Sequence, residues 1–178
     1  MTNTPAITMD DKAAILLEEA RAAHENYLIK QQDADLEKAI EYYIDAIKVN
    51  PSISESYYRL ASLLLMKGQI SIEGALEQCQ TALTLEPNNV NAHIYSGYFQ
   101  CLNGNFEEAE KEFKLAVSNS GKNSARPRLF LSKVLFSRIK NHDSSVKDVM
   151  KFLYYFLSGS MMIMWDCPSL KMFCKFLA

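Results

Sequence analysis

AIEYYIDAIKVNP, residues 39–51, sets Ala39 and Ala46 seven positions apart with Tyr43 between them and ends on Pro51. On a helix that spacing puts both alanines on one face, and proline stops the run. The segment recurs as ALEQCQTALTLEP at residues 75–87 and as AEKEFKLAVSNSG at residues 109–121. Ala39, Ala75 and Ala109 then form one column, Ala46, Ala82 and Ala116 a second, and Tyr43, Cys79 and Phe113 a third. Every column repeats at offsets of 36 and then 34 residues, which makes the pattern a period. A period of that length marks a solenoid of stacked helical units.

The upstream halves repeat as well. Tyr57-Tyr58-Arg59-Leu60-Ala61 leads to Gly68, and His93-Ile94-Tyr95-Ser96-Gly97 leads to Gly104, each just before an alanine helix. Each unit therefore reads as helix, glycine turn, helix, and a proline or glycine stop. The first unit lacks the turn glycine, and its helices are expected to join through residues 30–35. Small side chains in register let neighbouring helices approach closely, and the ring between them fills the remaining gap. On this reading the columns, Cys79 included, are core.

The pattern resembles the tetratricopeptide repeat, a pair of antiparallel helices over about 34 residues. Its aromatic, small and proline positions fall on Tyr57, Leu60, Ala61, Leu64, Ala75, Cys79, Ala82 and Pro87 in the second unit. In the third they fall on His93, Ser96, Gly97, Gln100, Ala109, Phe113, Ala116 and Gly121. The expected fold is all-α: a right-handed superhelical stack of three clear helix-turn-helix repeats and one degenerate repeat, plus a terminal helix. Residues 1–9 are read as a disordered lead, 10–121 as the repeat array, and 122–178 as the degenerate repeat with an apolar terminal helix.

Thr8-Met9-Asp10-Asp11 has the form of a capping box opening the first helix. No basic patch followed by an apolar run marks a signal peptide, and the four cysteines, at 79, 101, 167 and 174, have no metal or redox spacing. A cytoplasmic protein is expected. The net charge of −2 divides unevenly: −9 over residues 1–121 and +7 over residues 122–178. The basic run Lys122, Arg126, Arg128, Lys133, Arg138 and Lys140 interleaves Phe130 and Phe136. Those rings fall at helical core spacing, so the run is read as core with a solvated flank and not as a nucleic-acid face.

No catalytic constellation is present. His24, His93 and His142 stand in unrelated contexts, no glycine-rich phosphate loop occurs, and the adjacent glutamate pairs diverge on a helix. The chain is read as a non-enzyme without cofactor or metal, and His93, in a core column, as a satisfied core histidine.

The resemblance implies that the first helix of each unit lines a concave groove for a protein or peptide partner. Its groove columns are Glu55, Tyr58, Ser62 and Leu65 in the second unit and Asn91, Ile94, Tyr98 and Cys101 in the third. Family members that grip the acidic carboxyl terminus of heat-shock chaperones carry Lys and Asn at points where this chain has Tyr58, Ser62, Ile94 and Tyr98. An apolar peptide or helix suits such a groove better. The expected function is an interaction adaptor or scaffold. The alternatives are a small repeat chaperone holding apolar segments, or a regulatory array cut from a larger enzyme.

Residues 152–165 carry no charge until Asp166, too short a run for a spanning helix, so membrane contact is not expected. Because solenoids close on a polar outer face, an apolar end calls for a cover. Met161, Met162, Trp165, Phe173 and Phe176 are expected to meet a second copy, as a homodimer, or an external partner.

Overall fold

In the computed structural model, residues 8–121, 124–140 and 150–156 are described, with the side chains of 138–140 left aside. Among them every regular element is a helix: α1 (Met9–Lys30), α2 (Asp33–Val49), α3 (Ser54–Met66), α4 (Ile72–Leu85), α5 (Val90–Leu102), α6 (Phe106–Asn119) and α7 (Ala125–Lys140), followed by α8 at residues 150–156. The chain clusters into two units, Met1–Pro87 and Asn88–Ala178.

Local chemistry sets the helix ends. The Thr8 hydroxyl accepts a hydrogen bond from the Asp11 amide at 3.1 Å, and the Asp11 carboxylate accepts one from the Thr8 amide at 3.0 Å. This is the reciprocal box expected from the sequence, and it holds the Asp11 carboxyl below its ordinary pKa. Ser71 caps α4 and Asn89 caps α5, each side chain accepting from a backbone amide three residues on. At the far end of α3, Gly68 takes φ +68° and the Gln69 amide donates to the Leu64 carbonyl at 2.9 Å, closing the helix.

The first turn differs from its sequence reading. α2 begins at Asp33, so only Gln31 and Gln32 join it to α1. Gln31 supplies the left-handed position, at φ 57°, that Gly68 and Gly104 supply in the later hairpins. Its backbone amide donates to the Tyr27 carbonyl, and its side-chain amide donates to the Leu28 carbonyl at 3.2 Å. These bonds offset the steric cost that a side chain meets there.

In the first unit α1 packs on α2, α2 on α3, and α3 on α4. Its core joins Ala20 and Ala23 of α1 to Leu36, Ala39, Ile40 and Tyr43 of α2 and to Leu60 and Leu63 of α3. In the second unit α5 packs on α6, and α7 packs on both. Its core joins Ile94, Ala109, Phe113 and Ala116 to Leu131, Val134 and Leu135, with Phe152 and Tyr155 of α8 laid against it.

All six column alanines are fully buried, and so are Tyr43, Cys79 and Phe113. Replacing Ala82 with leucine is therefore expected to lower stability by about 2 kcal/mol through overpacking, whereas leucine at exposed Ala22 changes little. Urea denaturation checks this; equal midpoints for the two variants would remove the close contact at Ala82.

Candidate binding faces of the first helices

On α3 the four column residues differ sharply in what they leave accessible. Tyr58 is 1% exposed, Ser62 and Leu65 are half-buried, and the Ser62 hydroxyl donates to the Arg59 carbonyl. Glu55, one turn before, is engaged on two sides. Arg21 of α1 donates to it through Nε at 2.9 Å and again through Nη2, and Arg59 of α3 pairs with the same carboxylate. Although burial alone would raise the Glu55 pKa, these two guanidiniums hold it below its ordinary value. Arg21 also reaches Glu18 on its own helix. Glu55 thus ties α1 to α3 and brings its charge already compensated to the face.

On α5, Ile94 belongs to the core, while Asn91, Tyr98 and Cys101 are half-buried. Burial raises the pKa of the Tyr98 phenol and pushes the Cys101 thiol up to about 11. At neutral pH both are uncharged, and Cys101 lacks the thiolate a nucleophile needs.

Tyr98 and Cys101 open onto a pocket of about 170 Å³ within the second unit. α5 contributes Tyr98, Cys101 and Leu102; α6 contributes Phe106 and Phe113; α7 contributes Phe130, Lys133, Val134 and Ser137. Phe113 and Phe130 stack with ring centroids 5.4 Å apart and planes at 11°, which stiffens one wall. Lys133 sits part-buried in the opposite helix face, and desolvation lowers its pKa to about 8. The sequence placed Lys133 on a solvated flank. No local signal distinguishes it from its basic neighbours, because its setting depends on a contact with α5.

His93 is buried, with Nδ1 2.7 Å from a Glu112 carboxylate oxygen, and so is a satisfied core histidine as read from the sequence. Among the described residues no group of three His, Cys, Asp or Glu side chains could hold a metal ion, and no helix is long and apolar enough to cross a membrane. In the basic run, Phe130 is packed as core while Phe136 is 46% exposed and tilts against Phe152. Met161, Met162, Trp165, Phe173 and Phe176 lie outside the described residues.

Residues 28–53 match the family model of the tetratricopeptide repeat. Among solved structures, the Sgt2 tetratricopeptide domain from Aspergillus fumigatus is similar at 18% identity, covering 81% of this chain and 89% of that one, with a TM-score of 0.62. The first such domain of Spaghetti (RPAP3), bound to the HSP90 peptide SRMEEVD, is similar at 19% identity over 71% of this chain and 94% of its own, with a TM-score of 0.58. The TPR2B domain of yeast Sti1 in complex with pHsp70 is similar at 23% identity over 70% and 99%, with a TM-score of 0.56. At these identities the likeness is one of fold.

Proposed function

We propose that the chain, which has the fold of the tetratricopeptide-repeat domains and matches that repeat's model over residues 28–53, is a non-catalytic adaptor that binds a peptide or helical segment along its first-helix faces. The observation that carries this reading is the character of the α5 face. Asn91, Tyr98 and Cys101 leave an uncharged, partly aromatic surface there, with phenol and thiol both held neutral. Such a surface rewards apolar and amide-rich segments and gives little to a string of carboxylates. Glu55, the charged column residue of α3, is already matched by Arg21 and Arg59. Two fold relatives hold a peptide or pHsp70, which supports a peptide as the kind of partner. The acidic HSP90 peptide itself is a poor chemical match for these columns. The Cys101 thiol fits a reducing, cytoplasmic setting.

Panning a peptide-display library on the full chain tests this reading. Enriched sequences should be mainly apolar. Their affinity should fall at least about ten-fold on Tyr98→Ala or Leu65→Glu, since a desolvated aromatic or leucine anchor carries that much. Circular dichroism should show both variants folded. Peptides that bind both variants as tightly as the parent chain would move the site off these faces.

A further inference from the structure

We propose that the outer ridge of α1, formed by Ile15, Ala22 and Ile29 and flanked by Glu18, Glu19 and Glu25, docks a basic amphipathic helix of a partner protein. It adds to the adaptor reading a surface that the α3 and α5 faces do not include.

The ridge follows from where α1 meets its core. Ala13 and Ala20 are fully buried, and Tyr27, a further seven residues on, packs against the first-unit core. Ile15, Ala22 and Ile29 each stand two positions beyond one of these, about 200° round the helix, and so point away from the core. Ile15 is 53% and Ile29 75% exposed, and Ala22 is exposed between them. One apolar side chain on a surface is ordinary, but three aligned at a fixed step make a line that a partner can follow.

Spacing decides the form of the occupant. A step of seven residues along α1 is about 10.5 Å. A second helix presents its own facing side chains at that step, whereas side chains on one face of a strand come about 7 Å apart. Ala22, small between two isoleucines, lets the incoming helix approach closely.

Charge decides which helix. Glu18 and Glu25 run along one side of the ridge, Glu19 and Asn26 along the other, and all three carboxylates are exposed. Glu18 pairs with Arg21, the one cation between Ile15 and Ile29, and Arg21 is itself held to Glu55 of α3. Among the described residues Glu19 and Glu25 have no ion-pair or hydrogen-bond partner. Lys12 and Lys30 stand only at the two ends. An incoming helix with Lys or Arg beside its apolar line matches this pattern. Two α1 ridges set face to face would oppose carboxylate to carboxylate, which makes a symmetric second copy the poorer occupant.

The probe is an acetylated peptide amide of three repeats of Leu-Ala-Ala-Leu-Lys-Ala-Lys, titrated into the full chain and followed at the Ile15 and Ile29 methyl NMR signals. It should shift both saturably. Glutamine in place of the peptide's lysines should weaken binding about five-fold, and a chain carrying Glu19→Gln and Glu25→Gln should lose that margin. Ile15→Ser with Ile29→Ser should weaken binding at least about ten-fold. All four positions are exposed, so both variants should keep the parent's urea midpoint. No saturable shift at these methyls, equal binding of the lysine and glutamine peptides, or undiminished binding to the serine variant would each overturn the proposal. Sedimentation showing that the chain dimerises through Ile15 and Ile29 and excludes the peptide would overturn it too. The adaptor reading stands or falls apart from these results, on the Tyr98 dependence of the library peptides.

Discussion

Replacing Gly97 with valine is expected to cost about 3 kcal/mol of stability, the upper end of what overpacking a filled core does. Gly97 lies in the middle of α5, where glycine is itself unfavourable by roughly 0.5–1 kcal/mol relative to alanine. It stands there because the Phe113 ring occupies the place of a side chain. A Cβ built on Gly97 would lie 2.8 Å from Cε1, 2.9 Å from Cζ and 3.0 Å from Cδ1 of that ring. The ring has little room to move: Phe113 is 1% exposed, and Phe130 stacks on it. Alanine should cost less, about 1 kcal/mol net, because its helix propensity offsets part of the clash. Valine adds two methyls and gains little propensity. Urea denaturation of the two variants should rank them in that order, and Phe113→Leu placed with Gly97→Ala should recover part of the loss by making room. If Gly97→Val keeps the parent midpoint, the close approach of α5 and α6 is wrong.

The same contact shows why so much of the fold was legible in the sequence. Gly97 and Phe113 stand in two columns of the repeat, the six buried alanines fill two more across three repeats, and a helix contact repeated at a fixed period calls for small residues at the same places each time. What a column records is the side of a helix on which a residue stands. How far that side is covered depends on residues distant in sequence. Tyr58 shows this, being in a groove column and yet 1% exposed. So does Glu55, whose partner Arg21 is 34 residues away on α1. Lys133 is a third case, since its pocket exists only where α7 meets α5 and α6. Gln31 hid a turn for the opposite reason: its conformation is the one glycine marks elsewhere, reached by a residue that carries no such signal.

Acid should unfold the chain through His24 before its carboxylates respond fully. His24 is 5% exposed in the first unit, its ring set edge-on to Tyr43 with centroids 6.5 Å apart, and its Nδ1 has no hydrogen-bond partner. Burial is the main reason its pKa falls from the ordinary 6.5 to about 4, and the positive charge of Arg59 adds to the cost of a second cation. The sign follows from comparing the two states. Above pH 6.5 the ring is neutral whether the chain is folded or not, so the histidine costs nothing. Between pH 6.5 and 4 the unfolded chain takes up a proton that the folded chain refuses, and stability drops by up to about 1.4 kcal/mol per pH unit. By pH 4 the loss from this one group should reach about 3 kcal/mol, a large share of a typical domain's total. Asp11 and Glu55, whose pKa values are lowered in the fold, push in the same direction, losing their contribution as pH falls from the ordinary carboxylate range through their folded values. The histidine is separable because it acts earlier. His24→Phe keeps a ring of similar size against Tyr43, and its stability should stay nearly flat from pH 6.5 to about 5 while the parent's declines. A direct reading comes from the His24 ring proton in NMR, whose titration midpoint should lie near 4. A midpoint at the ordinary 6.5, with parent and variant declining in parallel, would mean that His24 is hydrated in solution and that the acid response belongs to the carboxylates alone.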